Sequence, residues 1–281
     1  MDSTAAGNDL TMEDLAVTVE ELQTAHVFQV ALGGGEPTLH PEFPRILREI
    51  RASGAVPNYT TNGTHLTAEV LSATKEACGA VAVSHRPSAE EAVTAAIKTF
   101  TDAGIKCNVH LVITRDLIPH LLEVSAPYVA AGVDQVVCLL FKPIGRGREQ
   151  REQMIRESDL PGLRQQLFRL SAALAGAGGT GLAFDSCFAP LLYKMPFVPV
   201  MFDGCTGARY SCYLTEDLYA RPCSFVRDRE GVNIRDEGLL GAWRSPLFRE
   251  FRDQLLAPRY VGCFECKRFG SCYGGCPIEP E

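Results

Sequence analysis

Seven of the chain's 11 cysteines fall between residues 205 and 276, and four of them, Cys263, Cys266, Cys272 and Cys276, have the spacing C-x2-C-x5-C-x3-C. Cys205, Cys212 and Cys223 lie upstream. Thiolates this close in sequence can converge on a soft metal centre, and four per centre suits iron–sulfur clusters or structural zinc. Seven is one short of two full sites. A disulfide framework belongs to short secreted chains, and this one has 281 residues and no basic segment followed by an apolar core at its start. Zinc stays open, since C-x2-C knuckles are its common pattern. Iron–sulfur becomes the better reading once the N-terminal half is added.

Those cysteines follow a different kind of sequence. Thr11 and Asp14 form a helix-capping pattern, and Met12, Leu15, Val19 and Leu22 paint one apolar face, so a helix is expected over about 12–24. Apolar runs predict strands at about 27–32, 55–60, 80–84, 107–113 and 134–141. Helices are expected between and after them, at about 41–50, 66–77, 88–103, 118–131 and 159–175. Crossovers this long imply parallel strands, and the expected fold is an open or closed α/β barrel. The glycine run at 176–181 reads as a hinge after which the alternation stops. A domain boundary is expected near 180–200.

In such a fold, function gathers at the C-terminal ends of the strands. These ends carry Gly33–Pro37 (GGGEP), Thr60–Gly63 (TTNG), Ser84–Arg86 and Lys142–Gly147 (KPIGRG). Glycines let a ligand approach the backbone, and Glu36 can hold a cationic group such as an amino acid's ammonium. Each stretch also reads as an ordinary turn. His40 and His85, near strand ends, are read as structural groups before ligands. Cys78, Cys107 and Cys138 sit in or before strands at wide spacing and are read as core thiols.

Taken together, these residues resemble the radical S-adenosylmethionine (SAM) superfamily, with a C-terminal extension similar to the SPASM auxiliary-cluster module of anaerobic sulfatase-maturase and other peptide-modifying enzymes. The resemblance implies a partial (β/α)6 TIM-like barrel lacking its first strand over residues 1–180, then a linker and small cysteine-rich module over 181–281. It puts Gly34, Gly35 and Glu36 at the SAM amino group, Thr61 and Asn62 beside them, Ser84 at the ribose, and Ile144 and Gly145 near the adenine. It makes Cys205, Cys212, Cys223 and Cys276 ligands of a first auxiliary [4Fe-4S] cluster, and Cys263, Cys266 and Cys272 ligands of a second that the family completes with a further cysteine.

Two departures stand out. The family usually has glycine where this chain has Leu218, five residues before Cys223. Its catalytic cluster is bound by C-x3-C-x2-C after the first strand, whereas the first cysteine here is Cys78 and Met1-Asp2-Ser3 looks like the sequence that follows that motif. The chain thus reads as starting one step past the catalytic loop. The implied activity is modification of a peptide or protein, or of a tetrapyrrole, by a 5′-deoxyadenosyl radical, with an electron-donor protein as partner. The alternatives are an inactive scaffold that binds auxiliary clusters and a partner, and a zinc-stapled α/β protein. Cys187, between barrel and module, is a candidate hydrogen-atom donor or eighth ligand, with a packed thiol as the plainer reading. No apolar run reaches the 18 or so residues of a membrane span, and a net charge of −7 argues against a nucleic-acid binder. The expected location is the cytoplasm.

Overall fold

The computed structural model describes residues 9–194, 203–226 and 231–278. They form two units, one holding residues 26–184 and the other residues 9–25 with the described residues after 184.

The first unit is built on six parallel strands: β1 Gln29–Leu32, β2 Val56–Thr61, β3 Val81–Ser84, β4 Cys107–Ile113, β5 Gln135–Leu140 and β6 Gly181–Phe184. Their order in the sheet is their order in the chain. Each pair is joined by a helix: α2 Phe43–Ala52, α3 Ala68–Ala77, α4 Glu90–Asp102, α5 Leu121–Ala130 and α6 Leu160–Gly176. Parallel crossovers are right-handed, so unbroken sequential order puts all five helices on one face of the sheet. The result is the expected partial α/β barrel. One expectation fails at its edge: the alternation runs through the glycine run and adds β6, paired with β5 from Gln135↔Gly181 to Cys138↔Phe184.

Side-chain alternation shows which way each residue faces. On β4, Cys107, Val109, Leu111 and Ile113 are fully buried against the helices, whereas Asn108 and His110 between them are half-buried. Tyr59, Val81, Val83, Val136 and Cys138 continue the helix-facing layer on neighbouring strands. From the helices come Phe43, Leu47, Ile50, Ile97, Phe100 and the α6 row Leu163, Leu167, Leu170 and Leu174. Each fully buried aliphatic side chain contributes about 1.5–3 kcal/mol, so this layer holds the unit together. Cys107 and Cys78 belong to it or to its rim, and burial pushes both thiols up to about 12, consistent with packing rather than ligation.

The second unit contains α1 Met12–Thr24, α7 Ala189–Tyr193, an antiparallel sheet of β7 Tyr213–Leu214, β8 Tyr219–Arg221 and β9 Val232–Asn233, and α8 Ile234–Arg244, α9 Pro246–Leu256 and α10 Phe269–Cys272. Thr11 caps α1 by accepting the Asp14 N–H at 3.0 Å. The helix then attaches to α8: Asp14 pairs with Arg235, and Glu21 accepts the Leu239 N–H at 2.5 Å. Trp243 packs on Phe248 with ring centroids 5.7 Å apart.

Candidate functional site

Glu36 is the centre of the strand-end site. It caps the short turn Pro37–Leu39, with Oε1 accepting from the Thr38 hydroxyl at 2.6 Å and the Thr38 N–H at 3.3 Å. From β2, the Thr61 hydroxyl donates to the same oxygen at 2.6 Å and the Asn62 N–H donates to Oε2 at 2.6 Å. Thr38 and Thr61 are themselves buried. Four donors thus fix one carboxylate across the ends of two adjacent strands. None of them neutralises its charge, and no cation pairs with Glu36 among the described residues. An ammonium group is what such a site lacks.

The glycines before it leave room. Gly34 has φ +133, a conformation open to glycine and strained for other residues, and a Cβ on either Gly34 or Gly35 would meet nothing within 4 Å. A ligand can therefore reach the backbone here. Gly63 is different: its φ is +77 and a Cβ would lie 2.5 Å from the Ala96 Cβ, so helix packing alone requires glycine.

Asn62 positions rather than reaches out. Its Oδ1 accepts from the Thr64 N–H at 2.8 Å and the Thr64 hydroxyl at 2.6 Å, and its carbonyl accepts from Arg86 Nη2 at 3.1 Å. Arg86 Nε is buried with no partner among the described residues. Ser84 ends β3, half-buried, in register with His110. Ile144 closes a tight turn by donating to the Lys142 carbonyl at 2.8 Å, and Gly145 follows at φ +60. His85 and His40 have internal roles, His85 Nδ1 lying 2.7 Å from the Tyr128 hydroxyl and His40 Nδ1 accepting the Glu42 N–H at 3.1 Å. Burial lowers the His85 pKa and pushes the Tyr128 hydroxyl up to about 12.

In the second unit, the thiols sort into two groups. Burial raises the Cys205 and Cys272 pKa values most, and beyond it Cys205 is raised by repulsion from Cys223 and Cys276, and Cys272 by repulsion from Cys263 and Cys266. Backbone N–H groups of Gly207, Phe225, Gly274 and Gly275 aim at the sulfurs of Cys205, Cys223 and Cys272, which favours thiolates. Gly274, at φ +66, is a further requirement of the second group, since a Cβ there would stand 3.2 Å from the Cys263 sulfur. Cys212 is exposed and stands apart from both groups. Cys187 lies in the short turn Ser186–Phe188. Among the described residues, no three His, Cys, Asp or Glu side chains close on a single-ion site.

A family profile described as Radical SAM superfamily matches residues 3–121. Mycofactocin maturase MftC of Mycobacterium tuberculosis (strain ATCC 25618 / H37Rv) is 30% identical over 283 residues, an alignment covering 92% of this chain and 68% of the relative. The chain belongs to the radical SAM superfamily. MftC of Mycolicibacterium smegmatis is 27% identical over 289 residues, covering 95% of this chain and 70% of the relative. Among solved structures, Streptococcus suis SuiB bound to S-adenosylmethionine superposes with a TM-score of 0.76 at 17% identity, covering 97% of this chain and 68% of that one. Native anSMEcpe with bound AdoMet and Kp18Cys peptide gives 0.74 at 18% identity, covering 97% and 83%. These likenesses match the partial barrel seen here.

Membership carries the superfamily's cofactors, SAM and iron–sulfur clusters. The residues present fit both: an anionic, cation-free Glu36 beside open glycine backbone suits an amino-acid ammonium, and two thiol groups with N–H donors aimed at their sulfurs suit clusters. Sequence reading passed over Asn108 and His110. Their signal was the polar alternation in Cys107–Ile113, CNVHLVI, inside an otherwise apolar strand.

Proposed function

We propose that this chain is a radical SAM/SPASM protein that modifies a peptide or protein side chain. The observation that carries the reading is the Glu36 carboxylate, fixed by four donors at the ends of β1 and β2 and left without a cation among the described residues. Glu36 would hold the SAM ammonium, with Gly34 and Gly35 lending close backbone approach, Thr61 and Asn62 fixing the carboxylate, and Ser84, Ile144 and Gly145 lining the nucleoside. Cys205, Cys212, Cys223 and Cys276 would hold one auxiliary [4Fe-4S] cluster and Cys263, Cys266 and Cys272 a second, in a module that follows β6. SAM with a reduced iron–sulfur cluster supplies hydrogen-atom abstraction when both are bound.

Support for a peptide comes from the relatives: MftC is a maturase by name, and SuiB has been solved bound to its precursor peptide SuiA. An electron-donor protein is the further partner that reduction of the clusters requires. A chain with 11 cysteines, seven of them proposed cluster ligands, suits the reducing cytoplasm, and no helix among the described residues is long and apolar enough to cross a membrane.

A second reading concerns this polypeptide by itself. The spacing C-x3-C-x2-C occurs nowhere in its 281 residues, which favours a chain that binds SAM and auxiliary clusters without cleaving SAM unaided.

Calorimetric titration of SAM into the anaerobically reconstituted protein tests the site. Glu36→Gln should weaken binding by about 10- to 100-fold, as expected for loss of a charge-assisted contact. Equal affinity in the variant would remove Glu36 from the site.

A further inference from the structure

The sheet's inner face carries chemistry that the cofactor site does not use. All five crossover helices of the first unit lie on the other side. The inward positions of β2 to β5 include Thr60, Ala82, Ser84, Asn108, His110 and Val137. Register aligns Thr60, Ala82 and Asn108 in one row and Ser84, His110 and Val137 in the next. Val112, one step beyond His110 on the same face, is 47% exposed, so this face is open there.

Two properties of these rows go together. Thr60, Ser84, Asn108 and His110 are all half-buried, yet none of their side chains hydrogen-bonds to protein among the described residues. None of their polar atoms is among the buried unpartnered ones, so each keeps a side open to a ligand entering this face. None of the inward side chains just named carries a fixed charge, and burial pushes the His110 pKa down to about 4, so its imidazole is neutral at pH 7. A hydroxyl, a carboxamide and a neutral imidazole each both donate and accept. A peptide group offers the same pair, N–H beside C=O. A tetrapyrrole's carboxylates would find no cation on these rows and would lose hydration without recompense.

We infer that Thr60, Asn108 and His110, spread over these two adjacent rows, form a docking patch for a backbone amide of the substrate, holding an uncharged stretch of peptide against the inner face of β2–β4. This rests on the peptide-modifying reading and adds where the peptide lies and what chemistry selects it. Ser84 stays with the cofactor, one strand away.

The test is NMR on the full 281-residue protein with labelled His and Asn, titrated with N-acetylalanine N-methylamide as a peptide-group probe. The expected result is a saturable shift of the His110 ring and Asn108 carboxamide. His110→Leu should weaken the Asn108 response by about tenfold, the equivalent of one hydrogen bond, and His110→Gln should restore most of it. The wild-type titration needs no variant to fold. A diamide that moves neither residue overturns the inference, and so does a shift of both residues by SAM alone or by a tetrapyrrole carboxylate in place of the diamide. SAM calorimetry on the same sample reads the underlying assignment separately: SAM binding with a silent patch sinks only the docking patch, whereas absent SAM binding sinks the cofactor reading itself.

Discussion

The Thr61 hydroxyl donates to Glu36 Oε1 at 2.6 Å, so the end of β2 fixes the one acidic side chain of the glycine-rich loop after β1. Thr61 is buried, and its oxygen also accepts the Gly63 N–H at 3.0 Å. One hydroxyl thus joins the carboxylate to the turn that closes β2. Thr61→Val keeps the shape and removes both bonds. SAM affinity should fall by about tenfold, with loss of about 1–2 kcal/mol of stability. Calorimetry with a denaturant curve checks both, and unchanged affinity would mean that Glu36 holds its place without β2.

Leu218 gives a second test. It sits between β7 and β8, with φ +64, and its side chain is fully buried. A left-handed residue suits this kind of hairpin loop, and glycine takes that conformation freely, which accounts for the glycine usual at this place in the family. Here leucine meets strain of about 1–2 kcal/mol, whereas losing a buried leucine costs about 2–5 kcal/mol. Burial outweighs strain. Leu218→Gly should therefore destabilise the protein by about 1–3 kcal/mol in urea unfolding, and a stabilised variant would contradict this balance.

What could be read from sequence was what is local. Thr11 with Asp14 and the apolar steps of Met12, Leu15, Val19 and Leu22 marked α1, and apolar runs marked five strands. β6 was hidden because Gly181–Phe184 is four half-buried residues behind a glycine run, with neither length nor alternation to announce it. The attachment of α1 to α8 was hidden too, since Asp14 and Glu21 meet residues more than 200 positions away. Glu36 was legible as a cation holder, but two of the four hydrogen bonds that orient it come from Thr61 and Asn62, at the end of a different strand.

The two thiol groups predict separable metal loading. Cys223→Ala and Cys266→Ala each disrupt one group and leave the other's thiols in place. After anaerobic reconstitution, each should retain about half the wild-type iron with matching acid-labile sulfide, and the double variant almost none. Stoichiometric zinc without sulfide would refute the cluster assignment. Loss of all iron in either single variant would mean that the groups load as one.

The 281-residue polypeptide should bind SAM yet produce no 5′-deoxyadenosine with dithionite above a no-protein control, because C-x3-C-x2-C is absent from its sequence. Chromatographic detection of 5′-deoxyadenosine would show that another cluster exposes iron to SAM.

His110 predicts a pH dependence with a defined sign. Burial holds its pKa at about 4 in the folded protein against an ordinary 6.5, so below pH 6.5 the unfolded chain takes up a proton that the folded chain refuses. The neutral-imidazole contribution is complete above 6.5, is lost as the pH falls from there towards 4, and changes no further below. Its register neighbours Ser84 and Val137 do not titrate in this range. Between pH 7.5 and 4.5 the loss amounts to about 2–3 kcal/mol. The measurement is a difference that cancels the other ionisable groups: His110→Gln should lose less stability than wild type over that range by about this amount, in urea unfolding at both pH values. Parallel losses in the two proteins would show that His110 takes up its proton freely in the folded state, and the neutral inner face would then lack its central member.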